Sequence, residues 1–170
     1  MVAEGQEAPD FTLPDQDGNE VTLRELRGQP VVLYFFPKAD TPGCTAQACG
    51  VRDHSSDYAG SGASVVGVSP DTVTAQRKFA DKYRLDFTLL ADENHEVADL
   101  YGVWGEKKMY GNVRGRAAAE GEARPVSRSG VQRATFLVDP EGKVARVFPK
   151  VSPKTHDEVV LEALGQLTSA

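Results

Sequence analysis

Residues 31–49 of this chain read VVLYFFPKADTPGCTAQAC, and they decide how the fold begins. The apolar run 31–36 predicts a buried strand, and the Pro and Gly residues after it predict a turn. The residues that follow Cys44 favour a helix, so this thiol lies in the first helical turn. Unpaired backbone N–H groups and the positive end of the helix dipole favour an anion there. Cys44 is therefore the better candidate for a reactive thiolate.

The chain contains two cysteines, and Cys49 lies five residues after Cys44. Five residues of α-helix rise roughly 7.5 Å and rotate the chain roughly 140°, which puts the two Cα atoms about 8 to 9 Å apart. A disulfide needs Cα atoms within about 7 Å of each other. If the two cysteines bond to each other, we expect the helix to unwind locally. A disulfide that requires unwinding fits a catalytic intermediate better than a structural crosslink.

The spacing of proline, threonine and cysteine in this loop resembles that of a known enzyme family. The pattern Pro37-x-x-x-Thr41-x-x-Cys44 is the signature of peroxiredoxins. Residues 36–49 closely resemble the bacterioferritin comigratory protein, or peroxiredoxin Q, subfamily. The resemblance covers nearly the whole chain, and further similar segments lie at residues 8–13, 67–69, 90–92, 101–107 and 133–139.

This resemblance implies a thiol-dependent peroxidase that reduces hydrogen peroxide and organic hydroperoxides in antioxidant defence. Cys44 would attack the O–O bond and become a sulfenic acid, and Cys49 would resolve it as an intramolecular disulfide. Thioredoxin or a similar dithiol protein would then reduce that disulfide through a mixed disulfide. We expect no cofactor and no metal.

The resemblance also assigns the remaining site residues. Breaking the O–O bond moves negative charge onto the departing oxygen, so the site needs fixed donors and a cation. Arg133 would supply the cation and hold Cys44 as a thiolate. The Thr41 hydroxyl would accept from the peroxide and donate to the thiolate, and Thr41 is also a candidate N-cap. The residues expected to shape the substrate pocket are Pro37, Pro42 and Gly43.

Other functions of the cysteines predict different patterns. A thioredoxin-like thiol–disulfide oxidoreductase also places a cysteine at a helix start, but its motif is Cys-x-x-Cys. It would also carry a proline where this chain has Gln132-Arg133. A zinc site needs three or four ligands, whereas Cys44, Cys49 and His54 point in different directions around a helix. We therefore prefer the peroxidase and keep the oxidoreductase as the alternative.

Length and charge agree with one domain spanning residues 1–170. A chain of 170 residues can bury roughly 70% of its unfolded surface, so it needs no disulfide or metal to be stable. The net charge of −6 argues against nucleic acid and acidic membranes as partners. Residues 1–7 lack the apolar core of a signal peptide, and no run approaches the roughly 18 apolar residues of a membrane span. We expect a cytoplasmic protein, and the resemblance implies a monomer.

The coarse pattern alternates strands with helices. It predicts an α/β thioredoxin-like fold, with a central mixed β-sheet flanked by helices and an N-terminal β-hairpin. Ser152 is a candidate N-cap for the last helix, and Pro153 suits its first position. The hairpin is predicted at residues 11–23, further strands at 31–36, 64–69, 87–90, 134–138 and 144–148, and helices at 71–82 and 94–101.

Residues 112–130 form a link that is longer than the one usual in the family, and it is rich in Gly, Ala and Arg. This composition predicts a mobile surface insertion. Because the segment leads directly into Arg133, a lid or docking loop is the alternative.

Overall fold

A computed structural model describes residues 1–110 and 125–168 of the chain. Strands and helices alternate through most of it. No helix within these ranges combines the length and apolar character needed to cross a membrane. The elements are β1 (Thr12–Pro14), β2 (Glu20–Thr22), a short 3-10 helix (Leu23–Leu26), β3 (Val31–Phe35), α1 (Pro42–Asp53), α2 (Ser55–Gly60), β4 (Ser64–Ser69), α3 (Val73–Tyr83), β5 (Thr88–Ala91), α4 (Glu96–Tyr101), β6 (Trp104–Tyr110), β7 (Pro125–Val131), β8 (Ala134–Val138), β9 (Val144–Phe148) and α5 (His156–Thr168).

Five strands form the central sheet, in the order β5-β4-β3-β8-β9. β3, β4 and β5 pair in parallel, because the helices between them carry the chain back to the same end of the sheet. β8 runs antiparallel to both β3 and β9. A tight turn joins β8 to β9, and the Asp139 carboxylate closes it by accepting from two backbone N–H groups. The predicted mixed sheet flanked by helices is confirmed, as is the hairpin of β1 and β2.

β3 lies in the middle of this sheet, and all five of its residues are buried. Val31, Leu33 and Phe35 pack on one face, together with the N-terminal hairpin and α4. Val32 and Tyr34 pack on the other face, against the layer formed by α1, α2, α3 and α5. Because both faces are covered, the strand is a continuous apolar run rather than an alternating one.

The last helix begins later than predicted. α5 starts at His156, and the preceding residues form a turn in which the Thr155 N–H donates to the Ser152 carbonyl at 3.2 Å. The prediction of Ser152 as the N-cap was wrong, because a serine followed by proline is equally compatible with a tight turn. The turn is favoured here because it brings His156 into the core, where the residue has no exposed surface.

The antiparallel pair of β6 and β7 is not predicted by the sequence pattern. Trp104 pairs with Val131 at one end and Tyr110 with Pro125 at the other. Of the predicted insertion at 112–130, residues 112–124 lie outside the described residues, and residues 125–130 belong to β7. Just after β7, the Gln132 N–H donates to the Val103 carbonyl at 2.7 Å. This bond fixes the backbone at the entrance to β8.

Candidate active site

Cys44 lies in the first turn of α1, as predicted from the sequence. Thr41 has the extended backbone of an N-cap residue, with φ −91° and ψ 156°, and Pro42 opens the helix. A proline is favoured at this position because its missing N–H would have no partner within the helix. Cys44 packs into the core and is 2% exposed. Its sulfur is therefore buried at a helix start, where backbone N–H groups attract negative charge.

Hydrogen bonds from neighbouring segments hold the loop between β3 and α1. The Ala39 N–H donates to Asp71 Oδ2 at 2.8 Å. Asp40 has a left-handed backbone with φ 61°, and its carboxylate accepts from Lys82 at 2.8 Å and from the Tyr83 hydroxyl at 2.7 Å. The hydrogen bond from Lys82 is also the main reason that the pKa of Asp40 is lowered. A strained backbone persists only where its surroundings support it, and α3 provides that support here.

Arg133 lies between β7 and β8, and its side chain reaches Cys44. Nη2 donates to Cys44 Sγ at 3.3 Å, and Nη1 donates to Oε1 of Gln47 at 2.6 Å. The carbonyl of Arg133 accepts from the Val151 N–H at 3.2 Å. The side chain is thus fixed at its tip by Cys44 and Gln47 and at its base by the backbone bond to Val151. Its permanent charge lies where it stabilises a thiolate and an oxygen that gains negative charge.

Gly43 makes the close approach of this arginine possible. A Cβ atom at Gly43 would lie 3.1 Å from Arg133 Nη2 and 3.7 Å from Cγ of Pro153. The first distance is shorter than a comfortable van der Waals contact, so a side chain would push the guanidinium away. The two prolines of the motif flank the loop: Pro37 is half-buried at its start, and Pro42 is exposed at the helix end.

The Thr41 hydroxyl donates to the Lys38 carbonyl at 2.9 Å. A hydroxyl has one hydrogen, so in this arrangement it does not also donate to Cys44, and it makes no capping bond to α1. Its lone pairs remain able to accept a hydrogen bond from a peroxide. The accepting role of Thr41 therefore stays a prediction, and the expected donation to Cys44 is replaced by the bond to Lys38.

Cys49 lies further along the same unbroken helix and is half-buried, and both cysteines are free thiols. With α1 helical from Pro42 to Asp53, the geometric argument about the disulfide applies to this helix as it stands. Across residues 1–110 and 125–168, no group of three or more His, Cys, Asp or Glu side chains is placed to hold a metal ion.

Gln47 belongs to the site but is not singled out by the sequence analysis. It has no exposed surface, and its carbonyl oxygen is the acceptor for Arg133 Nη1. Gln47 is three residues after Cys44, a spacing that puts both side chains on one face of a helix. A polar residue on the same face as the reactive thiol is the signal that points to it.

A second group of buried polar residues lies beneath the site. His156 bonds through Nε2 to the Thr135 hydroxyl at 2.9 Å, and its ring lies 5.6 Å from that of Tyr34. Burial, together with the smaller effect of the nearby Arg133 charge, lowers the pKa of His156 to about 4. His156 is therefore neutral at neutral pH, and it adds no second positive charge near Cys44. The sequence analysis assigned no role to this histidine.

Comparisons with known proteins show the family of this chain. The model of the AhpC/TSA family matches residues 4–147. The chain is 43% identical over 160 residues to Peroxiredoxin Bcp of Escherichia coli K12, covering 94% of each chain. It is 45% identical over 140 residues to the putative peroxiredoxin Rv2521 of Mycobacterium tuberculosis, covering 82% of this chain and 80% of that protein.

Solved structures show the same similarity. Peroxiredoxin Q of Xanthomonas campestris superposes with a TM-score of 0.83 at 32% identity, covering 97% of this chain and 98% of that one. Peroxidoxin BcpB of Mycobacterium tuberculosis superposes with a TM-score of 0.80 at 36% identity, covering 98% and 99%. The chain therefore belongs to the AhpC/TSA family, as a thiol-dependent peroxidase related to the Bcp and peroxiredoxin Q proteins.

Proposed function

We propose that Cys44 is the residue that reduces the peroxide. Its thiolate attacks one oxygen of the hydroperoxide, the S–O bond forms as the O–O bond breaks, and the other oxygen leaves and takes up a proton as water or an alcohol. Cys44 is then a sulfenic acid. The observation that carries this proposal is the 3.3 Å hydrogen bond from Arg133 Nη2 to a buried sulfur at a helix start.

The residues around Cys44 position the peroxide. Arg133 stabilises the negative charge that moves from sulfur to the departing oxygen, and Gln47 holds the guanidinium in place. Thr41 accepts a hydrogen bond from the peroxide, since its own hydrogen is already donated to Lys38. Pro37, Pro42 and Gly43 shape the pocket, and the backbone N–H groups at the start of α1 complete its donors.

Cys49 resolves the sulfenic acid. Its sulfur attacks Cys44, a disulfide forms, and the sulfenic oxygen leaves as water after taking up a proton. Both residues lie on one continuous helix, so α1 unwinds between them before the bond forms. The partial exposure of Cys49, against the burial of Cys44, supports Cys49 as the thiol that moves.

Thioredoxin, or a protein with a similar dithiol, regenerates the enzyme. Its dithiol becomes a disulfide as Cys44 and Cys49 return to thiols. Such a cycle needs a reducing compartment, and we place the protein in the cytoplasm for that reason. We also propose that it works as a monomer. Among the described residues the exposed large apolar side chains are too few for an extensive apolar interface: Met1, Leu100 and Val159.

Intact-mass analysis after one equivalent of hydrogen peroxide tests this cycle. The reduced wild type is expected to lose two hydrogens, Cys49→Ser to gain and keep one oxygen, and Cys44→Ser to stay unchanged. If Cys44→Ser reacts as fast as the wild type, the assignment of Cys44 is wrong. If the wild type, like Cys49→Ser, keeps one added oxygen and does not lose two hydrogens, the assignment of Cys49 is wrong.

A further inference from the structure

Asp157, the second residue of α5, makes a buried contact with the helices that follow the reactive cysteine. Asp157 is 7% exposed and Tyr58, on α2, is 2% exposed. The Tyr58 hydroxyl donates to Asp157 Oδ1 at 2.5 Å. This short bond joins α2 to α5 across the layer that covers one face of the sheet.

The other oxygen of Asp157 lies against the backbone of α1. A Cβ atom added at Gly50 would collide with Oδ2, so glycine is needed for the carboxylate to approach. The carbonyl of Gly50 accepts from the His54 N–H at 3.0 Å and from His54 Nδ1 at 2.8 Å. His54 Nδ1 is also 3.7 Å from Asp157 Oδ2. We call Asp157, Tyr58, His54 and Gly50 the Asp157 latch.

The latch lies next to the residue that must move. Gly50 directly follows Cys49, and one residue, His54, separates α1 from α2. The hydrogen bonds to the Gly50 carbonyl and the contact with Asp157 exist while α1 is helical at this turn. Unwinding α1 around Cys49 therefore breaks or weakens contacts of the latch, and their free energy adds to the cost of reaching the disulfide.

We propose that the Asp157 latch sets the rate at which Cys49 resolves the sulfenic acid, with Asp157 and Tyr58 acting as positioning residues. This inference rests on the proposed roles of Cys44 and Cys49. While the helix stays closed, the sulfenic acid on Cys44 persists, and a second peroxide can oxidise it to a sulfinic acid with release of water or an alcohol. A tighter latch thus favours over-oxidation, and a looser latch favours the disulfide.

The Tyr58→Phe variant tests the latch because it removes one hydroxyl and keeps the ring. The Tyr58 hydroxyl holds Asp157 against Gly50 of α1. If this support contributes the free energy of one buried hydrogen bond to the helical state, its loss changes the equilibrium between helical and unwound α1 by about tenfold. We expect disulfide formation to be faster by about that factor, and the fraction of protein carrying two added oxygens at high peroxide to fall. The rate of the first oxidation of Cys44 should stay unchanged. Acid-quenched samples read by intact mass report all three quantities.

Tyr101→Phe is the matched control. The Tyr101 hydroxyl donates to the Pro9 carbonyl at 2.7 Å on the opposite face of the sheet, so its loss destabilises the fold without touching α1. Asp157→Asn, which keeps the shape of the side chain, should accelerate disulfide formation as Tyr58→Phe does. Combining the two substitutions should add little, because both weaken the same bond.

Two results would overturn the proposed role of the latch. One is a folded Tyr58→Phe protein that forms the disulfide at the wild-type rate. The other is disulfide formation that is accelerated equally in Tyr58→Phe and Tyr101→Phe. The second result would mean that general destabilisation controls the step. A wild type that forms no disulfide between Cys44 and Cys49 would instead refute the proposed function, and the latch with it. The wild-type measurement therefore separates the two failures.

Discussion

Replacing Gln47 with leucine asks whether the arginine at the active site must be held in place. Gln47 is fully buried, and its Oε1 accepts the 2.6 Å hydrogen bond from Arg133 Nη1. Leucine is similar in size but has no acceptor. A hydrogen bond that involves a charged group contributes about 1.5 to 3 kcal/mol, and about 1.4 kcal/mol is a tenfold change in rate. If this energy serves to position Arg133 on Cys44, the variant should react with peroxide about 10- to 100-fold more slowly.

The assay is the second-order rate constant of the reduced protein with hydrogen peroxide, after circular dichroism has shown that each variant is folded. Gln16→Leu is a matched control, because the Gln16 amide bonds to the backbone of Phe87 and Leu89, each at 3.0 Å, away from the active site. It should lower stability and leave the rate constant unchanged. A folded Gln47→Leu protein that reacts as fast as the wild type would refute the reasoning, since Arg133 would then need no support from Gln47.

Two further predictions concern the surroundings of Arg133. Gly43→Ala should displace the guanidinium and slow the reaction with peroxide, without lowering the thermal midpoint, because alanine is the better helix former. Gly165→Ala is the control and should leave the rate unchanged, since an added Cβ there meets no atom within 4 Å. Equal rate constants for the two variants would contradict this prediction. His156 has a pKa of about 4 in the folded state against an ordinary value of 6.5, so the unfolded chain binds the proton first and stability falls as pH drops through that range. The loss in the free energy of unfolding is on the order of 3 kcal/mol. In denaturant unfolding, the stability of His156→Gln should fall less steeply with pH over this range than that of the wild type. Equal slopes for the two proteins would exclude the histidine as the cause.

Local sequence patterns predicted much of the fold because many elements carry a clear signal. β3 is a continuous run of apolar residues, which is typical of a buried strand. The strands Ser64–Ser69, Ala134–Val138 and Val144–Phe148 match their predicted bounds. The start of α5 was mispredicted because the same Ser-Pro pair suits a helix start and a turn. The choice depended on burying His156, which no local pattern records.

The active site was predicted unevenly for the same reason. Cys44 and Thr41 lie within one short motif, so their neighbourhood follows from the strand, loop and helix that carry them. Arg133 came from the resemblance to the family, because nothing near it in sequence indicates that it meets a cysteine 89 residues away. Gln47 was missed, since a glutamine on a helix is ordinarily exposed and only its tertiary contacts show otherwise.

The sequence by itself determined that a buried strand ends in a loop that places a cysteine at a helix start, and that two cysteines five residues apart cannot bond while the helix persists. These conclusions depend on local geometry, which is the same wherever such a segment occurs. Only the tertiary structure decided that Arg133, held by Gln47, donates to Cys44, and that Asp157, bonded to Tyr58, lies against the helix at Gly50, next to Cys49. Such contacts join residues distant in sequence, and they form because the packing of the helix layer on the sheet brings those residues together.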